Sequence, residues 1–334
     1  MTGVRLTTTQ RLDADSLADI TRLVAAAAGA DGYDALSEHK RLELAHARER
    51  TSDGTDGAGR TAGPGDPPDE FAAVFAYDPD GAEPVGYAQL NPAGTNGALG
   101  LELVVDPRFR DPEVGITDAL LGAALQEAGG MAGNHGPRTL RYWASHANRQ
   151  TDRLAAAHGL RPERDLLQLR RRLPIEDPRP KVVTRAFIPG QDEEAWLAVN
   201  NRAFATHPEQ GNWTLATLVE REAESWFDPA GFRLYEQDGR LAASCWTKVH
   251  ADTSPPMGEI YVISVDPDFQ GQGLGRALTA AGLDSLAGAG LPVGMLYVDG
   301  DNPALFLYQS MGFIEDHVDR SYVGSVGPAD STDP

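Results

Sequence analysis

The sequence predicts an α/β protein built from two tandem copies of one domain. Three observations carry that reading. A strand, a glycine-rich loop and a helix follow one another from Tyr261 to Leu286. The Asp106-Pro107 step that ends one apolar strand recurs as Asp266-Pro267 after another, 160 residues on. The 334 residues exceed one ordinary domain and suit two of about 150 residues each.

In chain order, Val4 to Leu6 reads as a first strand. A helix over Leu17 to Ala28 follows, capped by Asp13 or Ser16, with Leu17, Ile20, Leu23 and Val24 on one face. Leu36 to Ala47 reads as a second helical segment, in which Glu38 and His39 have the look of a solvated face. Thr51 to Pro68 holds no large apolar residue and reads as a mobile surface loop. Phe71 to Ala76 and Val85 to Leu90 are strands joined by Asp78-Pro79-Asp80-Gly81, and Leu101 to Val105 is the next. Arg170 to Arg172 close the first domain, predicted as residues 1–173, and the proline-rich stretch from Leu173 to Pro180 is a linker.

The second domain, predicted as residues 181–323, opens with a strand from Val182 to Phe187 and a helix from Asp192 through Ala205. A polar loop from His207 to Trp213 precedes a helix from Thr214 to Trp226. Phe232 to Tyr235 and Arg240 to Val249 form a hairpin about Asp238-Gly239. Tyr261 to Val265 and Met295 to Val298 are strands, and Gly324 to Pro334 reads as a disordered tail. The repeat runs through both halves: Tyr142 matches Tyr297, Asn148 matches Asn302, and Gly159-Leu160 matches Gly312-Phe313.

Composition narrows the function classes. Asp and Glu number 49 against 29 Lys and Arg, a net charge of −20, which argues against nucleic acid or an anionic membrane as partner. The single cysteine, Cys245, excludes an internal disulfide and a cysteine zinc cluster, and its apolar setting marks a buried small hydrophobe. The histidines show no metal-binding spacing, so no metal is expected. No run is long enough to span a bilayer and Met1 to Asp15 has no export core, so a cytoplasmic location is the expectation, with a monomer as the simplest state although no residue pattern sets the oligomeric state.

The chemistry concentrates in Gln270-Gly271-Gln272-Gly273-Leu274-Gly275. Backbone amides at a helix N-terminus, with no side chains to block them, suit phosphate, and Arg276 adds a cation. The loop lacks the Gly-Lys-Ser/Thr ending of a P-loop and the third-glycine spacing of a dinucleotide fingerprint. A glycine turn used for packing alone remains the plain alternative. The first copy has Arg110-Asp111-Pro112-Glu113-Val114-Gly115 instead. Proline removes a donor there and glutamate repels an anion, which leaves that copy as a weak cofactor site or a scaffold.

The pattern Q-x-x-G-x-G after V-D-P, followed by strand, Asn302, short helix and Tyr308-Gln309-Ser310-Met311-Gly312-Phe313, resembles the GNAT acyl-CoA N-acyltransferases. That resemblance implies tandem GNAT domains, each a mixed, mostly antiparallel sheet flanked by helices, with acetyl-CoA as acetyl donor. It assigns Ile263, Ser264 and Val265 to the pantetheine arm, and Gln270, Gly271, Gln272, Gly273, Leu274, Gly275 and Arg276 to the pyrophosphate. Asn302, Ala304, Leu305, Phe306 and Leu307 would line the thiol end. Leu103, Val104 and Val105, the matching strand residues of the first copy, are candidate contacts for a cofactor bound there. Tyr308 matches the tyrosine that protonates the leaving thiolate. Alternation puts Glu259, Tyr261 and Ile263 on one face, where the Glu259 carboxylate can take the amine proton. An exposed charge at a strand start is the plain alternative for Glu259, and a core aromatic for Tyr308.

HPEQGNWT, WFDP, WTKVH and GEIYVISVDP resemble, more narrowly, the mycothiol synthases (mycothiol acetyltransferases), over nearly the whole chain. These acetylate the cysteinyl amine of cysteinyl-glucosaminyl-inositol. By matching motif, Glu209, Lys248, Glu259 and Tyr297 would contact that acceptor, joined by Glu38 of the first domain. Carboxylates and lysine suit an ammonium among many hydroxyls. The stretch from Asn302 to Tyr308 is one residue shorter than the family pattern. The rival readings are acetylation of a protein N-terminus or an antibiotic amine, and a CoA-binding sensor without turnover.

Overall fold

The computed structural model describes residues 4–32, 35–37, 40, 44, 71–78, 81–93, 97–132, 136–176, 182–207, 210–251 and 253–327. The chain divides into two compact units: residues 1–164 with 319–334, and residues 165–318. These borders differ from those read in the sequence. Asp165–Arg172 belongs to the second unit and the chain's last strand to the first. The reason is strand pairing, which a linear reading does not contain.

In the first unit the strands are β1 (Arg5–Thr9), β2 (Ala72–Tyr77), β3 (Pro84–Ala93), β4 (Ala98–Val105) and β5 (Arg138–Ala144). They are completed by residues 319–326, the end of the strand Ile314–Val326. The order is β1-β2-β3-β4-β5-last strand, antiparallel except for β4 with β5. Alternation along β2 explains its two faces. Ala72, Val74 and Ala76 meet Leu120, Leu121 and Ala124 of helix α2 (Ile116–Ala132). Ala73 and Phe75 meet Ile20, Leu23 and Ala27 of helix α1 (Ala14–Asp31). Asp13 caps α1 by accepting from the Ser16 amide. Helix α3 (Arg149–Ala157) opens with a capping box at Asn148 and Thr151.

In the second unit, β6 (Arg161–Arg172, from Asp165 on), β11 (Val293–Asp299), β10 (Met257–Val265), β9 (Arg240–His250), β8 (Phe232–Gln237) and β7 (Arg185–Ala186) lie side by side in that order. Only β10 and β11 run parallel. Each unit is therefore a mixed, mostly antiparallel sheet, as the resemblance implied. One face carries α6 (Leu274–Gly288) and α7 (Ala304–Ser310) over Leu167, Leu169, Ile260, Leu296 and Val298. The other carries α4 (Glu193–Ala203) and α5 (Leu215–Glu222) over an aromatic core in which Trp246 stacks on Phe232 at 4.5 Å and meets Trp196 edge-on.

Several expected elements shift. The strand read from Val182 to Phe187 forms ladder pairs only at Arg185 and Ala186. The helix read to Trp226 stops at Glu222, and Trp226 turns onto the rings of Trp246 and Tyr261. The tail read as disordered from Gly324 is strand through Val326, because Gly324, Ser325 and Val326 pair with β5 and Val326 is buried. The helical segment read from Leu36 to Ala47 lies mostly outside the described residues, and the loop Thr51 to Pro68 and residues 328–334 lie outside them altogether. Among the described residues, no helix is long and apolar enough to cross a membrane.

Candidate active site

The site residues of the second unit gather where β10 and β11 part. Their parallel register runs Met257 with Val293, Gly258 with Gly294 and Glu259 with Met295, then ends. Strand β10 continues to Val265, paired on its far side with β9 alone. The two glycines of that register let α6 sit close. A Cβ on Gly258 would lie 2.5 Å from a Leu286 methyl, and one on Gly294 2.7 Å from a Leu283 methyl. Parted parallel strands leave backbone on β10 able to hydrogen-bond an extended chain, the mode of strand addition.

The glycine loop sits at the end of β10. Gly271 and Gly273 have φ of +78° and +79°, which only glycine adopts without strain, and a Cβ at either would meet nothing within 4 Å. Gly273 is the N-cap of α6 and offers no side chain to its amides. Among the described residues, the amides of Gly271, Gly273, Leu274 and Gly275 donate to no protein acceptor, and Gln270-Gly271 form a turn. Such donors at the start of a 15-residue helix fit an anion such as pyrophosphate. Arg276 donates to Ser310 Oγ at 2.8 Å, which joins the starts of the α6 and Gly312-Phe313 segments.

The matching loop of the first unit is closed on itself. Glu113 donates its amide to the Asp111 carboxylate at 2.9 Å, Val114 to the Asp111 carbonyl at 3.0 Å, and Gly115 to the Pro112 carbonyl at 3.1 Å. Arg110 forms a two-pronged bond to Asp31 at 2.6 and 2.7 Å and also donates to the Val105 carbonyl. Leu103, Val104 and Val105 pair with β3, beyond the end of the β4–β5 register at Glu102.

Glu259 is buried on β10, opposite Lys248 on β9. Its Oε2 lies 2.7 Å from His250 Nε2. The Lys248 ammonium sits 4.4 Å above the Trp226 ring and 5.3 Å above that of Tyr261. The expected alternation fails one residue later. A bulge between Ile260 and Val262 inserts Tyr261 as an extra residue, so Ile263 pairs with Cys245 and joins the α6 face. Glu259 and Tyr261 stay on the aromatic face with Lys248 and Trp226. A bulge reverses every side chain beyond it.

Ser264 turns into the aromatic core, where its hydroxyl lies 2.8 Å from Ser244 Oγ, itself an acceptor from Trp196 Nε1. Only its backbone is left for a ligand. Cys245 is fully buried, and burial pushes its thiol up to about 12, consistent with an inert core residue. Tyr308 on α7 is buried against Phe313, and burial, with Cys245 second, holds its phenol protonated well above the ordinary tyrosine value. Asn302 accepts from the Ala304 amide at 2.9 Å, one residue before the first turn of α7. Leu307 reaches to 3.6 Å from where a Gly275 Cβ would stand, while Phe306 is largely exposed. Tyr297 on β11 accepts a hydrogen bond from Gln168 Nε2 at 2.7 Å. Glu38 and Glu209 lie outside the described residues.

Sequence reading missed two polar neighbours of these groups, His250 and Gln168. His250 follows Lys248 by two along β9, so period-two alternation already put the two on one face. Gln168 comes from the strand assigned to the first domain, so no motif could have linked it to Tyr297.

Comparison with known proteins identifies the family and the fold. The model of the acetyltransferase (GNAT) family matches residues 195–313. The chain is 41% identical over 321 residues to a mycothiol acetyltransferase of Acidimicrobium ferrooxidans, covering 94% of this chain and 96% of that protein. It is 42% identical over 309 residues to one of Streptomyces coelicolor, covering 91% and 90%. Among solved structures, a GCN5-related N-acetyltransferase of Sphaerobacter thermophilus superposes with a TM-score of 0.65 at 24% identity, covering 97% of this chain and 96% of that one. A tandem GNAT protein from the clavulanic acid biosynthesis pathway gives 0.62 at 17% identity, covering 98% and 100%. These two share the fold. With two GNAT-type sheets and relatives of this identity over almost its full length, the chain belongs to the mycothiol acetyltransferase family.

Proposed function

We propose that the chain transfers an acetyl group from acetyl-CoA to the cysteinyl amine of cysteinyl-glucosaminyl-inositol, forming mycothiol, and that the second unit performs the chemistry. The observation that carries this reading is the contrast between the two loops. The amides of Gly271, Gly273, Leu274 and Gly275 are open, whereas those from Glu113 to Gly115 are closed by their own loop. In this reading Gln270 to Arg276 hold the pyrophosphate and the β10 backbone from Ile263 to Val265 holds the pantetheine arm. The segment from Asn302 to Leu307 lines the thiol end. Acetyl-CoA, when bound, supplies the activated acetyl thioester.

The rest falls to this chain's side chains. A carboxylate of Glu259 takes the proton leaving the acceptor's ammonium, freeing the nitrogen lone pair to form the amide bond. Burial keeps the Tyr308 hydroxyl protonated, so Oη has a proton to give to the sulfur as its bond to the acetyl carbon breaks. Lys248, Tyr297, Glu38 and Glu209 are assigned to the acceptor's polar groups. Incubation of the purified protein with acetyl-CoA and cysteinyl-glucosaminyl-inositol, read by mass spectrometry, should give the N-acetyl product. Acetylation of a free peptide N-terminus or an aminoglycoside in its place would refute the acceptor assignment, and no acetylation of any amine would refute the enzyme reading.

A further inference from the structure

We propose that His250 is a positioning residue for Glu259, fixing the carboxylate that takes the amine proton. The inference rests on the reading of Glu259 as base. His250 Nε2 and Glu259 Oε2 are 2.7 Å apart, and both side chains are mostly buried, at 13% and 10% exposure. An ionised carboxylate only accepts hydrogen bonds, so the ring nitrogen facing it carries the hydrogen. That bond uses Oε2 and leaves Oε1 as the oxygen open to the ammonium.

The backbone sets the register of this pair. His250 is the last residue of β9, paired in register with Met257, two residues before Glu259. The Thr253 hydroxyl lies 3.0 Å from the His250 carbonyl and 3.0 Å from that of Pro255, bracing the turn between the strands. Carboxylate rotation about its last side-chain bond is soft, and one buried, charge-assisted hydrogen bond is enough to choose an orientation. A base must lie within hydrogen-bond reach of the proton it removes, so a rotated carboxylate loses rate even though it remains ionised.

The test uses the full chain with Glu259→Gln, His250→Leu, His250→Gln, His250→Asn and the double variant Glu259→Gln/His250→Leu. Glutamine places an N–H donor near the position of Nε2, whereas leucine has none and asparagine is too short. Loss of one hydrogen bond to a charged group corresponds to about a ten- to hundredfold effect. His250→Leu should lower kcat by that factor with KM for acetyl-CoA unchanged, and His250→Gln should recover most of it. In the Glu259→Gln background, His250→Leu should cause no further loss. If His250→Leu does not fold, as judged by thermal unfolding, His250→Asn against His250→Gln carries the same comparison. Wild-type turnover in His250→Leu, with Glu259→Gln impaired, would overturn the positioning role and leave the base intact. A loss of the same size in both backgrounds would also overturn it. Wild-type turnover in Glu259→Gln would overturn the base reading itself, and this inference with it.

Discussion

Replacing Gly273 with aspartate tests the anion loop, and the structure supplies its own control in Gly115. Both glycines lie in the left-handed region, at φ +79° and +75°, and at both an added Cβ meets nothing within 4 Å. The strain of a non-glycine residue there, about 1–2 kcal/mol, is therefore common to Gly273→Asp and Gly115→Asp. What differs is the charge's surroundings. At Gly273 the new carboxylate stands among amides that make no bond within the protein, where we assign a pyrophosphate. Two like charges about 5 Å apart repel by about 0.8 kcal/mol at the dielectric of water and about 3 kcal/mol at an effective value near 20. Affinity for CoA should fall about four- to two-hundredfold, and the deficit should shrink as salt rises. At Gly115, in a loop already closed on itself, CoA affinity should not change. Calorimetric titration of CoA into both full-length variants reads the difference, with thermal unfolding confirming similar stability losses. Wild-type affinity in folded Gly273→Asp, or an equal loss in Gly115→Asp, would refute the assignment.

Glu259→Gln should lower turnover about 10²- to 10⁴-fold with CoA affinity retained, the range for loss of a general base. Because an amine beside a carbonyl deprotonates near pH 7–8, the deficit should narrow as pH rises through that range, and a pH-independent deficit in kcat would contradict this. Burial raises the Cys245 thiol from 9.0 to about 12 and pushes the Tyr308 phenol above its ordinary 10.0. Both groups are neutral in the folded protein, so their contribution is complete below pH 9. It is lost as pH climbs from 9 toward 12, when only the unfolded chain ionises freely. Urea titrations should show stability falling across that window, less steeply in Cys245→Ala, and a thiol reagent at pH 8 should label Cys245 only on unfolding. A fragment of residues 165–318 should fold better than one of residues 181–323, since the latter lacks the strand that pairs with β11 from Val293 to Asp299. Equal stability by circular dichroism melts would show that this strand is dispensable.

Much of the candidate site was legible because its signals are local. A glycine that must take positive φ and an Asp-Pro step that stops a strand both act within a few residues. That is why Gln270 to Gly275 could be singled out from the residues, while Asn302 and Tyr308 were picked out by the resemblance to the GNAT pattern. The contrast between the loops was legible too, since Pro112 and Glu113 are poor choices for amides that must face phosphate. The structure adds that Asp111 and Pro112 accept those amides.

The sequence by itself determined the repeat, the α/β class, the glycine turn at the start of the helix from Leu274 and the burial of Cys245, since each follows from composition, periodicity or short-range backbone chemistry, while the resemblance to a known family supplied the tandem GNAT fold. Tertiary structure decided what depends on register. The bulge at Tyr261 moved Ile263 to the other face from Glu259, and the β9–β10 pairing brought His250 to Glu259. Pairing also gave Asp165–Arg172 to the second unit and the chain's last strand to the first. A strand's ladder partners are chosen by hydrogen bonds to residues far away in sequence, and one extra residue in a ladder inverts every side chain after it, so neither could be read from the order of residues alone.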